Sequence, residues 1–424
     1  LKVWPAGRSR PVPAAPPLSQ MEDLRHFTLG RPGEPIRILQ LTDLHLFPAG
    51  CTEFDVTAAK GRVVPLASSD GGAAGAAYDP RRCLQMVEAV VARARPDIVV
   101  LTGDILDGRP FGASKAPDPS GWRDALLELL RPVLAAGAAW TFVPGNHDDD
   151  GSPWPREALL GAFQLGDAAP RCISAGATSF DHTVTVGPAA PPASGALRLW
   201  LFDSGGNHLE KPELRYHTFR PDAVAGYLSL SARLPRADCT LAYFHIPLPQ
   251  CSGLRPVAGR QGLFDAALRG GLVPRPWRWG PFTAVVRLLG KHRVVGASRL
   301  ESGLFEAFVE RGDVRACFFG HDHYSDAVFL RQGLFMAYGR VGGSSPPVDW
   351  EGDGGPLPFE AGGRVVEWRP GAEGGAPLLH TWVELMDRRE AGSEFALDAA
   401  AVAAAQPGWA RSLLAPLATA VCGD

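Results

Sequence analysis

This chain of 424 residues contains few asparagines and few lysines, and its positive and negative charges nearly balance. Only two asparagines occur, Asn146 and Asn207, and neither begins an Asn-x-Ser/Thr glycosylation sequon. The lysines number five, and the formal net charge is -3 at pH 7. This balance argues against nucleic acid as a partner and against recruitment to an anionic membrane surface.

Three further features are missing from the sequence. None of the seven cysteines belongs to a Cys-x-x-Cys pair, which argues against a zinc-thiolate site. No run approaches the roughly 20 apolar residues that a membrane span needs. The first residues lack an initiator Met and the apolar core of a signal peptide. We expect the cysteines to be buried or surface thiols. The location stays open, and removal of a signal peptide would be compatible with a secreted or vacuolar protein, with one or two disulfides as the alternative in that case.

The chain does contain five short motifs that are rich in aspartate and histidine. They are Asp43-Leu44-His45, Gly103-Asp104 with Asp107 after it, Gly145-Asn146-His147-Asp148, His245 within Tyr-Phe-His-Ile-Pro, and Gly320-His321-Asp322-His323. Each motif follows an apolar run that predicts a buried strand: Ile36–Leu41, Ile98–Leu101, Ala138–Val143, Thr240–Phe244 and Val314–Phe319. Because the carboxyl ends of neighbouring strands meet at one crevice, we expect the five motifs to converge there.

The residue types in these motifs are those of a metal site. In an extended Asp-x-His or His-x-His, alternate side chains lie on the same side of the backbone, so Asp43 and His45 can reach one ion together. His321 and His323 can likewise face a metal pair. A carboxylate offers two oxygens, which suits Asp104 for bridging two ions. Such mixed ligands favour Fe, Mn or Zn.

The third motif supplies a different set of groups. Asn146 has a neutral amide oxygen that can serve as a ligand, and the neighbouring His147 is left free to donate a proton. Asp148 is predicted to assist catalysis by keeping the imidazole of His147 protonated or by orienting it. Gly145 allows close approach of the backbone at the end of the strand.

The rest of the pattern predicts an α/β protein. Helices are expected at Pro80–Ala94 and at Trp122–Ala136, the second with Ser120 as its N-cap. This alternation of strand and helix predicts right-handed crossovers and a mostly parallel sheet. Three later apolar runs predict a second, more antiparallel sheet: Leu334–Tyr338, Arg364–Trp368 and Leu378–Leu385.

Composition divides the chain into a central domain and two tails. With 46% hydrophobic and 21% charged residues, the chain has the composition of an ordinary soluble globular protein. Residues 1–35 are rich in proline and arginine, and residues 390–424 are rich in alanine. We expect one domain over residues 36–389, with residues 255–300 as an insertion.

Together the five motifs resemble those of the calcineurin-like metallophosphoesterase superfamily, over about residues 36–345. Three stretches look like its small purple acid phosphatase-like branch: Phe202–Gly205, Leu241–Pro249 and Gly312–His323. The resemblance implies a four-layer α/β/β/α sandwich with two mixed β-sheets, and a metal centre at the edge between the sheets.

The resemblance also implies a role for each motif residue. One ion is bound by Asp43, His45 and His323, a second by Asn146, His245 and His321, with Asp104 bridging the two and His147 at the leaving group. Purple members carry Tyr three residues after the bridging Asp, where it ligates Fe(III) and gives the colour. Asp107 stands at that position here, so we expect little or no purple colour.

The predicted activity is hydrolysis of a small phosphate ester, most simply a monoester, by a hydroxide held between two divalent or trivalent ions. A phosphodiesterase that acts on a nucleotide or a lipid headgroup is the alternative enzyme. A non-catalytic scaffold on the same fold is the alternative of another class. The residues leave the substrate, the identity of the metals and the oligomeric state open.

Overall fold

A computed structural model of the protein describes twelve stretches of the chain. They are residues 25–30, 33–47, 53–57, 62–65, 80–107, 118–164, 171–188, 196–260, 295–323, 325–343, 360–371 and 377–405. The sequence-based predictions for residues 1–24, for 261–294 within the proposed insertion and for 406–424 lie outside this part of the chain.

Within those stretches the chain forms strands and helices in alternation. The strands are β1 (Arg25–Thr28), β2 (Ile36–Leu41), β3 (Glu53–Thr57), β4 (Arg62–Pro65), β5 (Ile98–Thr102), β6 (Ala139–Val143), β7 (His182–Gly187), β8 (Leu197–Leu201), β9 (Cys239–Tyr243), β10 (Ala316–Phe319), β11 (Val328–Arg331), β12 (Leu334–Tyr338), β13 (Gly362–Arg369), β14 (Leu378–Leu385) and β15 (Phe395–Ala396). The α-helices are α1 (Pro80–Ala94), α2 (Pro119–Ala135), α3 (Arg156–Phe163), α4 (Pro221–Arg233), α5 (Leu304–Arg311) and α6 (Ala399–Ala405). Short 3-10 turns lie at Pro212–Leu214 and Pro249–Cys251. No helix among the described residues is long and apolar enough to cross a membrane.

Two mixed β-sheets carry the fold. Sheet I has the strand order β15-β14-β13-β2-β5-β6, and sheet II has the order β1-β7-β8-β9-β10-β12-β11. In sheet I, β2, β5 and β6 are parallel neighbours, as the strand–helix alternation predicts. In sheet II, β8, β9, β10 and β12 are parallel neighbours. The motif strands are thus divided between the sheets, with three in sheet I and two in sheet II.

One apolar core lies between the two sheets. Ile38 and Val100 of sheet I belong to the same buried cluster as Leu199, Leu241 and Phe318 of sheet II. Successive side chains of a strand point to opposite faces of its sheet. The residues that alternate with these core residues along each strand therefore face outward from the pair of sheets. Because both faces are covered, the strands read as continuous apolar runs in the sequence.

Helices cover the two outer faces. On sheet I, Leu39 and Leu101 pack in one cluster with Val87 of α1 and Leu129 of α2. On sheet II, a second cluster joins β9, β10, α4 and α5, with Ala242, Phe319, Tyr227 and Phe308 among its members. The layers therefore run helix, sheet, sheet, helix, and the α/β/β/α sandwich implied by the family resemblance is confirmed.

Two local predictions were wrong. The later strands do not form a sheet of their own, because β12 pairs with β10 in sheet II whereas β13 pairs with β2 in sheet I. The apolar runs look alike in the sequence, so they do not indicate which of two sheets a strand joins. The N-cap of α2 is Asp118, whose side chain accepts a hydrogen bond from the backbone N–H of Ser120. Asp118 precedes Pro119, and Pro is well suited to the first position of a helix.

A buried ionic network fastens the segment after β12. The guanidinium of Arg340 is 1% exposed, donates to Asp326 Oδ2 at 2.5 Å and forms an ion pair with Glu390. Arg340 also donates to the carbonyl oxygen of Glu360 at 2.9 Å. The Asp326 side chain is only 3% exposed, so its charge depends on these partners.

We expect the Arg340→Met substitution to lower the free energy of unfolding by about 3–5 kcal/mol, because it leaves the buried carboxylate of Asp326 with less compensation. Arg388→Met is the matched control, since Arg388 pairs with exposed acidic groups at the surface. Exposed pairs contribute little to stability, and the control should unfold like the wild type. Urea unfolding of the three proteins gives the comparison, and equal effects of the two substitutions would contradict a structural role for the network.

Candidate metal centre

All five motifs lie at one edge of the sandwich, just beyond the ends of their strands. Asp43 and His45 follow β2, Asp104 follows β5 and Asn146 follows β6, all in sheet I. His245 follows β9, and the pair His321 and His323 follows β10, both in sheet II. The side chain of Gln40 links the sheets here, since its Nε2 donates to Thr102 Oγ1 at 2.9 Å and to the carbonyl oxygen of Phe319 at 3.1 Å.

The first cluster joins residues from both sheets. It consists of Asp43, His45, Asp104 and His323, whose donor atoms all lie within 4.8 Å of one another. His323 Nε2 is 3.1 Å from Asp43 Oδ1 and 3.2 Å from His45 Nε2. Three of the four side chains are fully buried, which leaves their donor atoms facing one another and not solvent.

The second cluster shares Asp104 with the first. It adds His245 and His321, again with donor atoms within 4.8 Å. His245 Nε2 lies 3.3 Å from Asp104 Oδ2 and 3.1 Å from Asn146 Oδ1. The amide oxygen of Asn146 thus faces this cluster as well. Seven potential donor side chains are therefore brought together in two sets that share one carboxylate.

The outer nitrogens of two imidazoles are already occupied. His45 Nδ1 lies 3.0 Å from Asp107 Oδ2, and His245 Nδ1 donates to the carbonyl oxygen of Thr102 at 2.8 Å. When Nδ1 carries the proton, the Nε2 lone pair is free to face a cation. Asp107, at the position where purple enzymes carry Tyr, therefore contacts a histidine of the first cluster. The prediction of weak colour stays a prediction.

The charges in the cluster fit a cation. Burial lowers the pKa of His245, but the charge and hydrogen bond of Asp104 outweigh burial and raise it to about 9. Burial and the charge of His245 lower the pKa of His321 to about 3. A bound divalent ion would replace the proton of His245, because a ligating imidazole must be neutral. The donor set of carboxylate, amide and imidazole therefore fits a divalent metal.

The backbone at this edge is held in an uncommon conformation. Positive φ angles occur at Asp43 (53°), His45 (45°), Asp104 (49°) and His321 (76°), four of the seven donors. Asp and His tolerate this region better than most residues, but it still costs energy. Hydrogen bonds between the loops hold it, for example from Asp43 N–H to the carbonyl oxygen of Gly103 at 3.0 Å and from His45 N–H to that of Asp104 at 2.9 Å.

The prediction that Asp148 orients His147 was wrong. Asp148 is turned away and accepts hydrogen bonds from the N–H groups of Ile105 at 2.8 Å and Gly145 at 2.7 Å. Burial and the charge of Asp104 raise the pKa of Asp148 to about 6. Its role is to brace two loops.

The partner of His147 is Asp150, whose Oδ2 lies 2.6 Å from His147 Nδ1. The sequence holds three consecutive aspartates after His147, so spacing alone did not single out this one. The backbone N–H of His147 donates to Asp104 Oδ1 at 2.8 Å, and the ring centroids of His147 and His45 are 5.6 Å apart. The side chain of His147 is 20% exposed, more than those of His45, His245 and His323, so it lies on the more solvent-accessible side of the cluster.

A sandwich with paired histidine–aspartate clusters at the edge between its sheets defines a metal-dependent phosphoesterase class. Residues 36–325 match the family model described as "Calcineurin-like phosphoesterase", and the chain belongs to that family. Together with the family, the clusters imply a divalent metal centre.

The chain is similar to two plant proteins and to one solved structure from an animal. It is 25% identical over 280 residues to the Arabidopsis thaliana protein named "Probable inactive purple acid phosphatase 28", and the match covers 60% of each chain. It is 23% identical over 327 residues to "Probable inactive purple acid phosphatase 29" from the same plant, covering 70% of this chain and 72% of the relative. The chain also resembles the structure of a dimetal phosphatase from Danio rerio, with 13% identity, a TM-score of 0.47 and coverage of 85% of this chain and 98% of the other.

We expect Gly145→Ala to reduce the metal content and the stability of the protein. A Cβ atom at Gly145 would overlap the carboxylate and backbone N of Asp104, so the residue shared by both clusters must move. Gly161→Ala in α3 is the matched control, since no atom lies within 4 Å of a Cβ built there. The control should keep its metal and gain about 0.5–1 kcal/mol of stability, because Gly is unfavourable within a helix. Elemental analysis and thermal unfolding give the comparison, and normal metal content in Gly145→Ala would contradict the tight packing.

Proposed function

We propose that this protein is a binuclear metal-dependent phosphoesterase whose reaction is the hydrolysis of a small phosphate monoester. The observation that supports this most is the division of seven buried or half-buried donors into two sets around Asp104. Family membership supports the reaction class, and the similarity to proteins named as purple acid phosphatases supports the choice of a monoester.

In this proposal one ion is held by Asp43, His45 and His323 and the other by Asn146, His245 and His321, with Asp104 shared by both. We propose Fe, Mn or Zn as the ions. When bound, such a pair lowers the pKa of water and offsets the charge of the phosphate.

His147 is the proposed general acid. Its side chain lies on the more solvent-accessible side of the cluster, where a phosphate ester would enter, and its backbone N–H is tied to Asp104. Asp150 lies against Nδ1, which leaves Nε2 to carry the proton toward the leaving oxygen. In the proposed reaction water adds to phosphorus, the ester P–O bond breaks, and the proton of Nε2 passes to the departing alkoxide. The proton released by the attacking water then restores the imidazolium.

The word "inactive" in the names of the plant relatives makes a non-catalytic scaffold the competing reading. Proteins that lose catalysis on such a fold commonly lose metal ligands, whereas each ligand position in this chain carries a residue that can bind. We therefore favour the enzyme.

The test is to deplete the protein of metal, reload it with Mn, Fe or Zn, and measure metal content alongside hydrolysis of p-nitrophenyl phosphate and bis(p-nitrophenyl) phosphate. We expect about two ions per chain and faster turnover of the monoester. Preference for the diester would identify a phosphodiesterase. Two ions without turnover of either compound would favour the scaffold, and a stoichiometry near zero would overturn the proposal as a whole.

Replacement of His147 by Ala should slow the reaction by roughly 10²–10⁴ while leaving the metal content nearly unchanged. The loss should be larger for an alkyl phosphate than for p-nitrophenyl phosphate, because a poor leaving group depends most on protonation. Asp104→Ala serves as the contrast and should lose metal, since the shared carboxylate disappears. Equal slowing of both substrates by His147→Ala, together with lost metal, would make His147 a ligand or a structural residue.

A further inference from the structure

The segment after β8 folds back over the second cluster. Residues 203–217, called here the Asn207 hairpin, are closed by an antiparallel bridge between Asn207 and Tyr216. The hydrogen bonds of this bridge run from His208 N–H to the carbonyl oxygen of Arg215 at 3.0 Å and from His217 N–H to that of Gly206 at 2.9 Å. The hairpin supplies none of the seven proposed ligands, but it contacts two of them.

Arg156 ties this hairpin to the strand end that carries Asn146. Its guanidinium donates to the carbonyl oxygen of Gly145 at 2.6 Å and to that of Gly205 at 3.1 Å. It also pairs with Asp203 at 2.7 Å. The guanidinium is planar and cannot lose its proton, so it holds the two backbones in a fixed relation. The side chain of Asn207 is thereby kept beside Asn146.

The two asparagines of the chain are hydrogen-bonded to each other. Asn207 Nδ2 donates to the backbone carbonyl oxygen of Asn146 at 3.1 Å, and Asn146 Nδ2 donates to Asn207 Oδ1 at 3.2 Å. A side-chain amide has similar shape in either orientation, but a backbone carbonyl can only accept. The carbonyl therefore fixes Asn207 with Nδ2 toward it. Asn207 Oδ1 then requires Nδ2 from Asn146, which turns Asn146 Oδ1 toward His245.

We propose that Asn207 is a positioning residue that selects the oxygen of the Asn146 amide as the ligand of the second metal. This inference rests on the proposed metal assignment. An amide NH₂ group carries its protons toward the ion and has no lone pair to offer, so only one of the two orientations binds. Without Asn207, the amide of Asn146 loses the contact that distinguishes the two orientations.

The same bridge braces a second ligand of that ion. The ring of Tyr216 lies perpendicular to the ring of His321, with centroids 4.5 Å apart. The carbonyl oxygen of Tyr216 accepts a hydrogen bond from Ser298 Oγ at 2.8 Å. Among the described residues, the hydrogen bonds and ring contacts of Asn207 and Tyr216 therefore reach two proposed ligands of the second metal, Asn146 and His321, and none proposed for the first metal alone. Loss of Asn207 should be felt at one metal and not at both.

Titration of the metal-free protein with cobalt(II), followed by its visible spectrum and by calorimetry, measures the two dissociation constants separately. Outer contacts of metal ligands typically contribute 10–100-fold in affinity, so Asn207→Ala should weaken the second site by about that factor and leave the first unchanged. Lys211→Ala, an exposed residue of the same hairpin, is the matched control and should bind both ions normally.

A double-mutant cycle with Asn146→Asp isolates the orientation effect. A carboxylate presents oxygen whichever way it turns, so in the Asn146→Asp background the added Asn207→Ala change should no longer weaken cobalt(II) binding. In that background the Asn207→Ala change should even strengthen cobalt(II) binding, because it removes the repulsion between the carboxylate introduced at position 146 and Asn207 Oδ1. The same 10–100-fold loss in both backgrounds would assign Asn207 a general structural role and overturn the proposal. Wild-type protein that binds no cobalt(II) would instead overturn the metal assignment itself.

Discussion

The buried carboxylate of Asp104 requires hydrogen-bonding and charged partners, and this requirement constrains the whole edge of the sandwich. Asp104 is 1% exposed, and its two oxygens face His147 N–H from sheet I and His245 Nε2 from sheet II. Burial opposes ionisation of Asp104, but the charges of His245 and His147 outweigh it and hold the pKa well below its usual value. Because partners come from both sheets, the carboxylate is stabilised only where the sheets pack in one relative position. The apolar core between the sheets and the polar cluster at their edge therefore depend on each other.

Much of the fold could be predicted because the strongest signals were local. A strand buried on both faces gives an unbroken apolar run, and the runs before the five motifs became β2, β5, β6, β9 and β10 with ends shifted by at most two residues. The helix α1 was found with the same ends, Pro80–Ala94. The pairing of strands could not be predicted in the same way, because hydrogen bonds between strands join residues far apart in the chain. The division of β12 and β13 between two sheets was therefore missed.

The convergence of the candidate donors could be predicted because their residue types are rare in apolar surroundings and recur at strand ends. Their outer contacts could not, since these depend on loop conformation. In the sequence, Asp148 and Asp150 are equally plausible partners of His147. The turn after Asn146 brings Asp150, and not Asp148, to the imidazole of His147. Asn207 had one signal in the sequence, the near absence of asparagine. That signal marked the residue as unusual without indicating that its partner was the other asparagine.

The left-handed backbone at Asp43, His45, Asp104 and His321 bears on how this site persists over evolutionary time. Strained positions of this kind cost on the order of 1–3 kcal/mol each, and glycine would occupy them at far lower cost. Replacement of such a residue by glycine would relieve strain but would also remove the buried contacts that its side chain makes. The two effects partly offset each other, so selection for stability alone discriminates less against glycine at these four positions than at an unstrained buried residue. Retention of all four in a lineage would therefore indicate selection for the side chains themselves.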